Sequence, residues 1–199
     1  MRTLSLRHYL LLGLFALATW NLCEAGYIHA KAWVAQMMIK SAWAETDSDK
    51  SKIKPWPWAD THPVAHIKLD RIDLDLIVLA GATGSSLAFG PGHLDGSPPP
   101  GAAGNIVISG HRDTHFRALK NVLLGDSIDL ESANHDLKRY EVTDIQVVDK
   151  KYTEVAEDFG DDRLTLITCY PFDSPIYGGP LRYVVTAKLV SEDVPNIQI

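Results

Sequence analysis

The pattern of apolar and polar positions divides the chain into three regimes. The first is an apolar run from Tyr9 to Cys23, preceded by Arg2, Arg7 and His8 and closed by the first acidic residue, Glu24. The run falls short of the roughly 20 residues that a spanning helix needs. However, Ala25 to Ala44 continues weakly apolar and aromatic, with Tyr27, Trp33, Met37, Met38 and Trp43. A basic flank followed by an apolar stretch predicts an uncleaved signal anchor over residues 1–44. This would be a single transmembrane helix with its basic end inside and everything after it exported. The second regime, residues 45–62, opens with the polar, charged stretch Glu45–Lys54 and reads as a linker. It ends in Lys54-Pro55-Trp56-Pro57-Trp58-Ala59-Asp60, where the prolines stiffen the chain and both tryptophans are expected to pack on the following domain.

The third regime, residues 63–199, has a period of two. His66–Asp70 alternates apolar with polar, and Ile72–Leu79 does the same before turning fully apolar. The alternation puts Asp73 and Asp75 on the solvent face. Gly81–Gly104 is dense in Gly, Pro and Ser and reads as a long loop with a short helical possibility at Ser85–Ala88. Strands are predicted at Asn105–Ser109 and from Ser127 to Leu130. A long strand or bent hairpin follows from Leu137 to Val148, and a helical turn or two fits Thr153–Phe159. Two more strands are predicted at Arg163–Cys169 and Leu181–Val190. Seven or eight short strands with almost no long helix after residue 44 predict an all-β barrel or sandwich.

Composition changes this picture little. A chain of 199 residues with this N-terminus has room for one domain of ordinary size. The net charge of −6 argues against a general nucleic-acid binder. No glycine-rich phosphate loop is present, so no nucleotide cofactor is expected. Two cysteines, Cys23 and Cys169, do not make a disulfide framework. Cys23 reads as an inert residue of the apolar helix. His111 and His115 stand four apart, but no glutamate accompanies them in the zinc-protease spacing and Gly110 precedes the first, so no metal is expected.

The candidate chemistry lies at strand ends. Leu164-Thr165-Leu166-Ile167-Thr168-Cys169 runs directly into Tyr170-Pro171-Phe172-Asp173-Ser174-Pro175, and prolines with the later Gly178-Gly179 enforce a loop. Cys169 is therefore either a small buried hydrophobe or a nucleophile held on a strand and open to a loop. His111 follows the Asn105–Ser109 strand in the same manner, and Arg182 opens the last strand. Each has a structural alternative, a satisfied histidine and a solvated charge. A Cys–His pair is joined in space rather than in sequence.

Taken together, Gly90-Pro91-Gly92-His93, the run from Gly104 through Gly110-His111-Arg112-Asp113-Thr114-His115-Phe116, Leu164–Cys169 and Arg182-Tyr183-Val184-Val185 resemble a sortase over Pro63 to Val190. The tail Cys169-Tyr170-Pro171-Phe172-Asp173 resembles the sortases of proteobacteria more than the Gram-positive housekeeping enzymes. The resemblance implies an eight-stranded β-barrel with short helices, and it places the family's catalytic residues at His111, Cys169 and Arg182. It also implies a membrane-anchored cysteine transpeptidase of the hydrolase class, which cleaves an LPXTG-like sorting signal after threonine through a Cys169 thioester and passes the acyl group to an amine. The implied partners are exported proteins with a C-terminal signal of that kind and an amine acceptor. The implied location is the cell membrane, with the catalytic domain on the extracytoplasmic side. Thr168 is expected to shape the substrate groove or supply it with a hydroxyl. A hydrolase using water at the same residues and a non-catalytic, membrane-tethered peptide-binding β-domain are the competing readings.

Overall fold

The computed structural model describes residues 6–46, 52–152, 157, 160–175 and 178–190. The chain divides into two units, residues 1–38 and 39–199. The helix α1 (Leu6–Ala44) supplies the whole described part of the first unit. Leu10, Leu11, Leu12, Leu14, Phe15, Leu17, Trp20 and Leu22 are all exposed along it. The expected transmembrane helix is not found, because among the described residues no helix is long and apolar enough to cross a membrane. The physical reason lies in the sequence of α1: its strongly apolar stretch is interrupted by Asn21 and Glu24, and Lys31, Gln36 and Lys40 follow.

In the second unit, eight strands among the described residues form a closed barrel. They are β1 (Pro63–Leu69), β2 (Leu74–Ala80), β3 (Gly92–His93), β4 (Asn105–Ser109), β5 (Ser127–Ser132), β6 (Leu137–Asp149), β7 (Arg163–Tyr170) and β8 (Leu181–Leu189). Around the barrel the order is β1-β2-β3-β4-β7-β8-β6-β5. The β2–β3 and β4–β7 pairs are parallel and the rest antiparallel. Closure leaves no unpaired edge to template aggregation.

Strand alternation sends one set of side chains inward. Ile67, Leu69, Ile106, Ile108, Ile128, Leu130, Leu164, Leu166, Val185 and Ala187 meet in the core with Phe116, Leu119 and Tyr140. The expected strands are all present, with β1 starting at Pro63 and a 3₁₀ turn at Asp70–Ile72 delaying β2 to Leu74. The long Leu137–Val148 segment is one strand, bent by a bulge between Val142 and Asp144. Sequence reading missed β3. A two-residue strand carries no periodicity, yet it bridges β2 to β4 and so closes the barrel. Gly92 allows it, since a Cβ there would lie 2.3 Å from the Gly81 carbonyl oxygen.

The short helix α2 (Gly84–Leu87) lies where one was expected. Of the two tryptophans expected to pack, Trp56 meets Phe89 edge to face at 5.0 Å, whereas Trp58 is 79% exposed. The helical turn expected over Thr153–Phe159 falls, apart from Glu157, outside the described residues. The last turns of α1 belong to the barrel unit: Ile39, Ala42, Trp43 and Thr46 are buried, and the Trp43 ring meets His66 and His135 edge to face.

Candidate active site

Three strands converge on the candidate residues. In the parallel β4–β7 pair, Asn105 faces Arg163 and Ser109 faces Ile167, an offset of 58 positions throughout. Just past β4, Gly110 is bonded to both Ile167 and Thr168 of β7, so His111 follows a turn held beside the residue before Cys169. On the other side of β7, Cys169 is the direct partner of Arg182 on β8. Opposed residues of an antiparallel pair hold their Cβ atoms about 5 Å apart on one face of the sheet. Leu164, Leu166, Val185 and Ala187 point into the core, so alternation turns Cys169 and Arg182 to the outside of the barrel. Cys169 is a free, half-buried thiol, Arg182 is half-buried and His111 is exposed.

The backbone around His111 is fixed from both neighbours. The Gly110 amide donates to the Ile167 carbonyl at 3.1 Å, and the Thr168 hydroxyl donates to the Gly110 carbonyl at 2.7 Å. Gly110 is needed at this turn because a Cβ would meet the ring of Phe116 at 2.8 Å, and Phe116 is fully buried. Thr168, expected to shape the substrate groove or supply it with a hydroxyl, supports this turn. It is 1% exposed, lies on the inward-facing register of β7, and spends its hydroxyl on the turn before His111. A buried hydroxyl so engaged holds the backbone of that turn.

Arg112 was passed over by sequence reasoning and is the best-anchored cation near the site. It is 2% exposed, and its Nη1 and Nη2 donate to the carbonyls of Pro171 and Ser174, each at 2.7 Å. Its Nε donates to the Asp113 carboxylate at 3.3 Å. An arginine is almost never fully buried unless its donors are paired. The one sequence signal was its place directly after His111.

Aromatic packing holds the same loop from the other side. The Tyr170 and Tyr183 rings stack at 6.3 Å, and the Phe172 ring meets Tyr183 edge to face at 5.1 Å. Burial, reinforced by the neighbouring Tyr170, raises the pKa of Tyr183, which therefore stays neutral. Arg182 donates through Nη1 to the carbonyls of Gly179 and Leu181, at 2.8 and 2.9 Å, which fixes the guanidinium at the strand entrance. The second histidine, His115, is half-buried. Burial pushes its pKa down, and proximity to His111 adds to the effect.

On the outer face that carries Cys169, Val107, Thr165 and Val184 are buried although they point away from the core. The Thr165 hydroxyl donates to Asn105 Oδ1 at 2.7 Å, and Asn105 Nδ2 donates to the Glu157 carbonyl at 2.9 Å. This chain of bonds ties the β6–β7 connection across β4 and β7. Two surface cavities of about 460 Å³ lie elsewhere, one lined by His62, His93 and Ser132, the other by Asp73, Leu76 and His115; neither includes Cys169 or Arg182. Among the described residues no cluster of His, Cys, Asp or Glu could hold a metal ion.

A thiol opposite a cation, with an imidazole arriving from the adjoining strand, is the equipment for acyl transfer. The model of the sortase domain matches residues 67–190 of this chain. The chain belongs to the sortase family. It is 33% identical to sortase D of Bacillus subtilis over 126 residues, which is 63% of each protein. The chain thus spans less than two thirds of that relative's length. Among solved structures it is similar to sortase A from Corynebacterium diphtheriae, with a TM-score of 0.61, 29% identity, and 84% of this chain and 86% of that one covered. It is also similar to a Clostridium perfringens sortase D5 transpeptidase, with a TM-score of 0.58, 28% identity, and 65% and 79% covered. The eight-stranded barrel with few short helices is the sortase fold.

Proposed function

We propose that this sortase-family protein is a cysteine transpeptidase working on the extracytoplasmic side of the cell membrane, with Cys169 as nucleophile, His111 as acid and base, and Arg182 as oxyanion donor. The substrate is an exported protein with an LPXTG-like sorting signal. The Cys169 thiolate attacks the threonine carbonyl, and a C–S bond forms. The C–N bond to the next residue breaks, and His111 gives its proton to the departing amine. An incoming amine then attacks the thioester and yields a proton to His111. A new amide forms, and the C–S bond breaks to return the thiolate. Arg182, cationic at every relevant pH, stabilises the negative oxygen in both steps.

The observation that supports this reading is the pairing of Cys169 with Arg182, together with the bonds that tie Gly110, the residue before His111, to Ile167 and Thr168. The decisive experiment incubates the chain with an LPXTG-containing peptide, with and without a small amine, and follows products by mass spectrometry. The expected result is cleavage after threonine with amine-linked product, absent from Cys169→Ala. Free acid alone, even with abundant amine, would instead make the protein a hydrolase at the same residues. Peptide binding that survives in Cys169→Ala without any cleavage would leave only a peptide-binding domain. The location is tested separately, with a periplasm-dependent reporter fused after residue 190. The proposal expects it to be active, and an expressed, intact fusion whose reporter stays inactive would overturn it.

A further inference from the structure

We infer that Arg112 is a positioning residue that clamps the loop after the nucleophile to the turn bearing the catalytic histidine, an inference that rests on the transpeptidase reading above. After Tyr170 the chain leaves the barrel through Pro171-Phe172-Asp173-Ser174-Pro175, and the two prolines have no amide hydrogen to give to a neighbour. This segment cannot be held by a continued strand ladder, yet it starts two residues after Cys169. Besides the Phe172 packing and a bond within the loop from the Ser174 amide to the Pro171 carbonyl at 3.4 Å, its carbonyls offer acceptors through which a neighbouring segment can tie it down.

Arg112 supplies the donors. Its two Nη atoms reach the carbonyls of Pro171 and Ser174 at 2.7 Å each, so one planar fork spans four residues of the loop. The fork belongs to the residue that follows His111 in the chain, so the same bonds that fix the loop also fix the turn that presents the imidazole. The turn in turn is tied to β7 by the Thr168 hydroxyl on the Gly110 carbonyl. The path therefore runs from Cys169 through Pro171 and Ser174 to Arg112, then through His111 and Gly110 back to Thr168, beside Cys169. Nucleophile and acid–base residue sit on one closed loop of covalent and hydrogen bonds.

The burial of Arg112 supports this role. A guanidinium 2% exposed is a costly choice unless its geometry is used. Arginine's five donors lie in one rigid plane, whereas a lysine ammonium is a point donor on a flexible stem. Lys at this position keeps the charge but cannot span both carbonyls at once. A displacement of about 1 Å at a reacting group can cost about 100-fold in rate. The effect expected from losing the clamp therefore falls on turnover rather than on substrate affinity.

The test compares the full chain with Arg112→Met and Arg112→Lys by three measurements: thermal unfolding, amide hydrogen exchange over residues 170–175, and steady-state transpeptidation. Both variants are expected to unfold cooperatively. Exchange over 172–174 should rise at least about tenfold in Arg112→Met, where the loop is released to open locally. kcat should fall about 100-fold with KM for the signal peptide within about threefold, and Arg112→Lys should recover part of the loss. Unchanged exchange in a folded Arg112→Met, or a kcat loss no greater than its unfolded fraction, would overturn the inference. If Arg112→Met does not fold, Arg112→Lys carries the same comparison. If the wild-type chain joins no peptide to any amine, the transpeptidase reading falls, while exchange still decides whether Arg112 holds the loop.

Discussion

At the residue scale, function depends on what two side chains can and cannot replace. Arg182 donates to the Gly179 and Leu181 carbonyls through Nη1, and it is the strand partner of Cys169. Removing an oxyanion donor costs about 100- to 1,000-fold in kcat. Arg182→Ala is accordingly expected to lower kcat by that factor. Arg182→Lys should recover little of it, because a point charge does not reproduce the fork; full activity in Arg182→Lys would argue against the assigned role. Gly110 is the second case. Its missing side chain makes room for the buried Phe116 ring, 2.8 Å from where a Cβ would stand. Gly110→Ala must push that ring or the turn, at about 1–3 kcal/mol. Denaturant unfolding would read the loss, and a variant as stable as wild type would show that Phe116 can yield.

At the element scale, the ends of the barrel are closed by turns that depend on charge. Arg71, in the turn between β1 and β2, donates to both carboxylate oxygens of Asp126 and to the Asn121 carbonyl, so it ties that turn to the segment leading into β5. Asp126 also accepts from the Leu123 amide at 2.8 Å. The Arg71 bonds, aided by that amide, hold the Asp126 carboxyl below the usual carboxylate range. Arg139 does the same for Asp129 on β5. A carboxyl with a lowered folded pKa binds protons more readily in the unfolded chain. Its contribution is therefore complete above the unfolded value, near 4, and is lost as pH falls through the lower folded value. Asp126→Asn should cost up to about 1 kcal/mol near neutrality, since Arg71 is partly exposed. The gap to wild type should close in acid. A gap that widens as pH falls from 4 would contradict the assigned pairing.

At the scale of the whole molecule, the boundary between the two units falls inside α1. Residues 39–46 belong with the barrel, where Trp43 is 9% exposed and caps the His66 and His135 rings. Glu131 joins those histidines, 2.6 Å from His135 Nδ1 and 3.5 Å from His66 Nδ1. A chain beginning near residue 52 would lack this packing, whereas one beginning at Ile39 keeps it. Burying a tryptophan in such a contact is worth about 3 kcal/mol. Trp43→Ala in a 39–199 fragment is expected to lose about that much, and the 52–199 fragment at least as much. Equal melting temperatures for the 39–199 and 52–199 fragments would show that the helix end is dispensable to the barrel.

Much of this was written in local pattern. Alternation along β1 and β2, and short apolar, β-branched runs along β4, β7 and β8, named the strands. The sequence also put Cys169, His111 and Arg182 at strand boundaries, where prolines and glycines stop regular structure. What local pattern does not contain is pairing. The two-residue β3 that closes the barrel has no period to detect, and the parallel β4–β7 register that brings the turn at Gly110 to Thr168 joins residues 58 positions apart. Face is likewise decided by pairing at the ends of strands: Thr168, beside the nucleophile in sequence, turns inward, while Arg112, a charged residue expected on a surface, is buried. The length and apolarity of α1 suggested a membrane span that its polar interruptions do not sustain. The sequence determined which of the longer segments are strands and which residues are candidates for chemistry, since those depend on neighbours along the chain. Only the tertiary structure decided which of them meet, since hydrogen-bonded registers and buried charges depend on partners far away in it.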